Sequence, residues 1–264
     1  MTATDASGVT ATRHSYGSHG EQFGDLRLPT GSGPHPTIIY VHGGGYQAAI
    51  SLDGAAAICA GFTAHGYATW SIEYRRLGNG GGWPTTFDDV LAGATYLSTL
   101  ATNAPLDLTR VYVAGQSAGG QLALWLANRA REEGSALPPL RGVVALAPLT
   151  DMRGVATHDP ASVAAAVIGG TPSNVSERYA STSPLELLPL RLAQLIVHGT
   201  ADGTVPYAMS EQYVRAAQAA GDEVTLATIR GADHVDLWRP TSGFFSQVVD
   251  TAVATLDGWR QALR

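Results

Sequence analysis

The chain has 264 residues, 45% of them hydrophobic and 14% charged, with a net charge of −6. That length and apolar content fit one large domain, or two small ones, with an ample core, and exclude a disordered chain. The mild acidity, with no long run of either sign, argues against nucleic acid or an anionic membrane surface as a partner.

The first 20 residues are polar and carry no secretory signal, and no apolar run is long enough to span a bilayer, so a cytoplasmic location is expected. Residues 1–9 read as a loose polar tail. Residues 10–16 and 22–28 alternate well enough for an edge hairpin that turns through Gly17 and Gly20. A Gly- and Pro-rich loop over 29–36 leads to Thr37-Ile38-Ile39-Tyr40-Val41, a continuous apolar run that marks a strand buried on both faces. It ends at His42-Gly43-Gly44-Gly45-Tyr46. A helix is predicted over 53–65. Cys59 within it is the single cysteine, which excludes an internal disulfide and reads as a small buried hydrophobe. A strand over 67–73 exits into a glycine-rich loop, 78–82, and then Trp83-Pro84. Val90, Ala94 and Leu97 mark a helix over 86–101.

The strand predicted over 110–114 runs into Gly115-Gln116-Ser117-Ala118-Gly119. A helix begins at once, with Ala118, Leu122, Trp125 and Leu126 on one face. A buried strand follows over 142–146. Residues 151–183, rich in Ala, Gly, Pro and Ser with a helical piece near 162–168, read as a cap inserted over the sheet. Strands over 195–198 and 223–229 flank a helix over 208–220. Phe245, Val248, Val249, Ala252, Leu256 and Trp259 lay one apolar stripe along a final helix. Alternating strands and helices predict an α/β fold with a mostly parallel sheet covered on both faces, in a single domain over 1–264. Ligands of such sheets bind beyond the carboxyl ends of the strands.

The strongest signal at those ends is Ser117. A strand that turns straight into a helix through one serine exposes that serine at the sheet edge, and glycines on either side let strand and helix approach. The bland reading is a tight turn around a small residue. A serine hydroxyl needs a base to take its proton. Of eight histidines, His234 follows the last strand in Gly231-Ala232-Asp233-His234 and is the best-placed base. His198 closes a strand and reads as a ring pinned into its loop. The base needs an acceptor to hold its tautomer. Asp202, in His198-Gly199-Thr200-Ala201-Asp202, is the first candidate and Asp151 its rival. The backbone N–H groups of Gly44, Gly45 and Ala118 are candidates for an oxyanion site, with His42 shaping the loop.

With those segments in hand, the chain resembles the α/β-hydrolases, in particular esterases with a His-Gly-Gly-Gly oxyanion loop: the hormone-sensitive-lipase-like enzymes and the kynurenine-formamidase-like hydrolases. Its Asp and His segments also resemble the catalytic domain of the prolyl-oligopeptidase group. The resemblance covers roughly residue 37 to the C-terminus, and its chain order of serine, acid, histidine agrees. It implies Ser117 as nucleophile, Asp202 as acid, His234 as base, and Gly44, Gly45 and Ala118 as oxyanion donors. No His-Glu-x-x-His occurs, no Gly-x-Gly-x-x-Gly follows the first strand and no Walker A sequence appears, so neither a metal nor a nucleotide cofactor is expected. Two segments depart from the lipase-like pattern: Gln116 stands before the nucleophile, and no Ala-Pro-Glu follows Tyr74-Arg75-Arg76-Leu77.

The expected substrate is a small or medium carboxylic ester. An amide, formamide or small peptide is the alternative. A non-catalytic binding protein of this fold is the rival from another class. Tyr46, Gln116 and Trp83 are candidate substrate contacts. For Trp83 two readings stand: a pocket wall carried by the glycine-rich loop, or a core ring packed on the helix it introduces.

Overall fold

The computed structural model describes residues 2–4, 10–132 and 134–262. Nine strands form one sheet: β1 (Thr2–Thr4), β2 (Thr10–Ser15), β3 (Phe23–Arg27), β4 (His35–Val41), β5 (Ala68–Ile72), β6 (Leu106–Gln116), β7 (Leu140–Leu146), β8 (Gln194–Gly199) and β9 (Val224–Ile229). Their order across the sheet is β1-β2-β3-β5-β4-β6-β7-β8-β9. The first three are antiparallel, and every pair from β5 to β9 is parallel. This is the α/β architecture the alternating pattern predicts.

The helices are α1 (Ala56–Ala64), α2 (Thr85–Thr95), α3 (Leu97–Leu100), α4 (Ala118–Arg129), α5 (Met152–His158), α6 (Val163–Ile168), α7 (Ser176–Ala180), α8 (Tyr207–Ala219) and α9 (Phe245–Ala262). Side chains alternate across a strand, so β4 feeds two cores. Ile39 and Val41 pack with Phe87 of α2, Leu122 and Trp125 of α4 and Tyr213 of α8 on one face. Ile38 and Tyr40 pack with Ile58 and Phe62 of α1 and Val249 and Leu256 of α9 on the other. Both faces of the central strands are therefore dry, which is why 37–41 is apolar without alternation. Among the described residues no helix is long and apolar enough to cross a membrane.

Three expectations need correction. Residues 2–4 are not tail but a strand on β2, so the hairpin of β2 and β3 does not sit at the edge; residues 5–9 lie outside the described residues. The helix expected over 86–101 is two, α2 and α3, joined at Tyr96. Residues 151–183, expected to form a cap with one helical piece, hold three short helices, α5, α6 and α7. The Ala- and Gly-rich sequence hid them because each is shorter than two turns and leaves too few positions for a periodic pattern.

Candidate active site

Ser117 joins β6 to α4 with φ 54° and ψ −122°. A positive φ is strained for a residue bearing a Cβ and persists only where the surroundings enforce it. Here Ser117 N–H donates to Leu146 O at 2.8 Å, and Ser117 O accepts from Gln121 N at 3.1 Å. The flanking glycines make the crossing possible. A Cβ on Gly119 would collide with the carbonyls of Val41 and His42, and one on Gly115 with the carbonyl of Gly119.

His234 stands at the start of a 3-10 turn, Val235–Leu237. Its Nε2 lies 3.0 Å from Ser117 Oγ and its Nδ1 2.6 Å from Asp202 Oδ2. An ionised carboxylate only accepts, so Nδ1 carries the proton and Nε2 is free to accept from the serine hydroxyl. Asp202 Oδ1 accepts from the N–H groups of Thr204 and Val205, both at 2.8 Å. Burial alone would raise the Asp202 carboxyl; the bonds from His234, Val205 and Thr204 outweigh it and hold the group below the usual carboxylate range. The rival acid is elsewhere employed: Asp151 Oδ1 accepts from Gly154 N at 2.7 Å and caps α5.

The loop after β4 supplies the facing wall. Gly44, Gly45 and Tyr46 take φ of 107°, 59° and 56° in succession, a course that favours glycine. Among the described residues no backbone carbonyl accepts from the N–H of Gly44 or Gly45. Ala118 is the first residue of α4, so its N–H has no acceptor within the helix. All three residues line the same cavity as Ser117 and His234.

A buried polar cluster anchors that loop. His42 Nδ1 lies 2.8 Å from Gly43 O and Nε2 2.9 Å from Glu73 Oε1. Glu73 also accepts from Leu52 N at 3.0 Å and pairs with Arg76 at 2.6 Å. Tyr74 stacks on His42 at 4.6 Å and donates its hydroxyl to His42 O at 2.7 Å. Arg76 in turn reaches Glu21. Burial would raise the Glu73 carboxyl, but the contacts with His42, Leu52 and Arg76 hold it down. Sequence reading gave His42 the role of shaping the loop and passed over Glu73 and Arg76, both of which are buried.

The cavity holds about 480 Å³, within the usual range for small-ligand sites. Ile50, Leu149, Val155, Val163, Val205 and Met209 give it an apolar lining. Trp238, which sequence reading also missed, lines it and stands against His234. Its place four residues past the candidate base does not by itself separate a ring in the cavity from one in the core.

Of the three candidate substrate contacts, two reach the cavity. Gln116 lines it, and among the described residues its buried Oε1 has no hydrogen-bond partner. Tyr46 lines it too, but its hydroxyl donates to Gln121 Oε1 at 2.8 Å and is spent inside the fold. Trp83 is absent from the lining. Its ring meets Phe87 edge-on at 5.3 Å, Phe87 meets Trp125 at 5.1 Å, and Trp83 N–H donates to Val167 O at 2.7 Å. The pocket-wall reading of Trp83 is therefore corrected to the core reading: the ring packs on Phe87 of α2 and lies outside the cavity lining. Among the described residues no group of three or more His, Cys, Asp or Glu side chains is placed to hold a metal ion.

Comparison with known proteins agrees with this architecture. The family model described as BD-FAE matches residues 25–216. The versiconal hemiacetal acetate esterase of Dothistroma septosporum is 32% identical over 119 residues, 45% of this chain and 36% of that protein. The ethyl acetate hydrolase of Pseudomonas putida is 35% identical over 116 residues, 43% of this chain and 35% of that protein. These matches cover about a third of the length of the curated relatives. Among solved structures, a truncated carbohydrate esterase from gut microbiota superposes with a TM-score of 0.82 at 21% identity, over 94% of this chain and 95% of that one. That likeness is one of fold, and the fold is that of the α/β-hydrolases.

Proposed function

The chain belongs to the BD-FAE family, and on that premise we propose that it is a cofactor-independent serine esterase acting on carboxylic esters of small or medium size. The observation that carries the reading is the line Ser117 Oγ to His234 Nε2 at 3.0 Å and His234 Nδ1 to Asp202 Oδ2 at 2.6 Å, set in an apolar cavity. The relatives named for acetate-ester hydrolysis support the ester class.

His234 takes the Ser117 proton as Oγ attacks the ester carbonyl carbon. Negative charge gathers on the carbonyl oxygen, and the N–H groups of Gly44, Gly45 and Ala118 receive it. Asp202 faces the imidazolium that forms. His234 then gives its proton to the departing alkoxide, leaving the acyl group on Ser117. Water enters, loses a proton to the same histidine and attacks the acyl carbon; the bond from that carbon to Ser117 Oγ breaks, His234 returns the proton to Oγ, and the carboxylic acid leaves. The lining of Ile50, Leu149, Val155, Val163, Val205 and Met209 favours a short apolar acyl or alkyl group and offers no charge to a charged one.

The test is a fluorophosphonate probe together with p-nitrophenyl esters of graded acyl length. Labelling of Ser117 and fastest turnover at acyl chains of about two to six carbons are expected. A protein that turns over none of these esters and leaves Ser117 unlabelled is not an esterase of this kind.

A further inference from the structure

Asp202 Oδ2 serves two histidines. His234 Nδ1 lies 2.6 Å from it and His198 Nε2 3.1 Å. We infer that His198 is a positioning residue for the proposed reaction: its neutral ring donates from Nε2 to Asp202 Oδ2, and so fixes where that carboxylate points and how much of its charge His234 feels.

The surroundings of His198 select this state. Its Nδ1 lies 2.7 Å from Ser210 Oγ on α8, and a hydroxyl can donate to it. Its Nε2 faces only acceptors, Asp202 Oδ2 and Val205 O, the latter at 3.0 Å. The proton therefore belongs on Nε2. The Tyr207 ring, also from α8, meets His198 edge-on at 5.6 Å, and the side chain is fully buried. Burial pushes the imidazole below its ordinary value, against the pull of Asp202. The acids beside His234 in sequence are engaged locally: Asp233 Oδ1 accepts from Val235 N, and Asp236 Oδ2 from Asp233 N. Ser117 and the Trp238 ring complete the groups facing His234.

Charge balance gives the arrangement its use. One carboxylate lies between two imidazoles, so it can neutralise one cation. A neutral His198 leaves that capacity to His234 when it takes the serine proton. The bond from His198 also fills the remaining accepting position on Oδ2. With Thr204 and Val205 holding Oδ1, the carboxylate cannot rotate away from His234 without breaking a bond. Withdrawing the donor from Oδ2 concentrates charge toward His234 and strengthens its hold on a proton.

The inference rests on His234 being the base. Ser117→Ala and probe labelling test that reading and leave His198 untouched, so the two can fail separately. The experiment here is the pH profile of kcat/KM on a short ester for His198→Met, which loses the donor, and His198→Gln, which keeps an amide N–H. His198→Met should lower kcat about tenfold with KM within about twofold, and move the acid limb up by roughly half to one pH unit, the size of one hydrogen bond. His198→Gln should return the limb to within about 0.2 units of the parent. An acid limb that stays in place in both variants, whatever happens to Tm, overturns the inference. Should His198→Met fail to fold, ring ¹⁵N spectra of the native protein decide. A proton on His198 Nε2 alone across the whole acid limb supports the assignment. A proton on Nδ1, or a second proton taken up across that range, overturns it.

Discussion

Trp238 stands edge-on to His234, with ring centroids 5.0 Å apart and planes at 84°. An edge-to-face pair of this kind limits rotation of the imidazole about its Cβ bond. The histidine is thus held from two sides: Asp202 grips Nδ1, and the indole restrains the swing of the ring toward the cavity.

Trp238→Ala should therefore lower kcat/KM for short esters about tenfold, with Trp238→Phe recovering most of the loss. Steady-state rates on one ester decide it. A Trp238→Ala enzyme as active as the parent would mean that Asp202 alone holds the ring.

Ser117 yields a paired prediction. Ser117→Ala should lower kcat by several orders of magnitude with Tm close to the parent, since alanine bears the same strain at φ 54°. Ser117→Gly should be equally inactive yet more stable, by about 1 kcal/mol, because glycine adopts that φ freely. Thermal unfolding of the two variants side by side makes the comparison.

The two acids separate cleanly. Asp202→Asn should lose about 10³ to 10⁴ in kcat, because an amide favours the wrong tautomer of His234. Asp151→Asn should leave kcat nearly unchanged and cost at most about 1 kcal/mol through a weaker cap on α5. The opposite ranking of rates would move the acid to the strand end before the cap.

Stability should fall in acid, and the sign follows from Asp202 and Glu73. Both carboxyls are held below their ordinary values when folded. The unfolded chain therefore binds more protons in acid, and the stability these groups contribute is complete above about pH 5 and lost as pH drops through their folded values. Urea midpoints should begin to fall below about pH 6.5, where the unfolded chain protonates His198 and the folded chain keeps it neutral, and fall further below about pH 4 as Asp202 and Glu73 protonate. Glu73→Gln should reduce that decline and cost about 3 kcal/mol at neutral pH, since it leaves Arg76 buried without its inner partner. A midpoint that stays level down to pH 3 contradicts the assignment.

Trp83→Ala should cost about 2 kcal/mol, less than a fully buried tryptophan because the ring is partly exposed. The acyl-length preference should not change, since the ring lies on Phe87 and outside the cavity. A shift toward longer esters would restore Trp83 to the pocket.

The parallel half of the sheet was legible because burial on both faces leaves runs such as 37–41 without polar residues. The meeting of Ser117, Asp202 and His234 was legible because a parallel sheet puts every strand exit on one edge, and each of these residues follows a predicted strand. Trp238 was not, because nothing local distinguishes a ring facing a cavity from one facing a core. Glu73 and Arg76 escaped for a related reason. A charge is solvated by default, and only the fold shows that His42, Leu52 and Glu21 surround these two. Residues 2–4 form a strand through pairing with β2, which a three-residue pattern cannot announce.

The nucleophile and its base are 117 positions apart in the chain, and the base follows the last strand to join the sheet. A growing chain that has reached α4 carries Ser117 but neither Leu146, whose carbonyl holds the serine backbone, nor a base to withdraw the hydroxyl proton. The His234 turn is placed only once β9 pairs with β8. Regain of hydrolytic turnover after dilution from denaturant should therefore lag behind the return of helical circular dichroism, because such distant pairings close slowly. By the same order, a chain that stops short of β9 lacks the base that the proposed reaction needs.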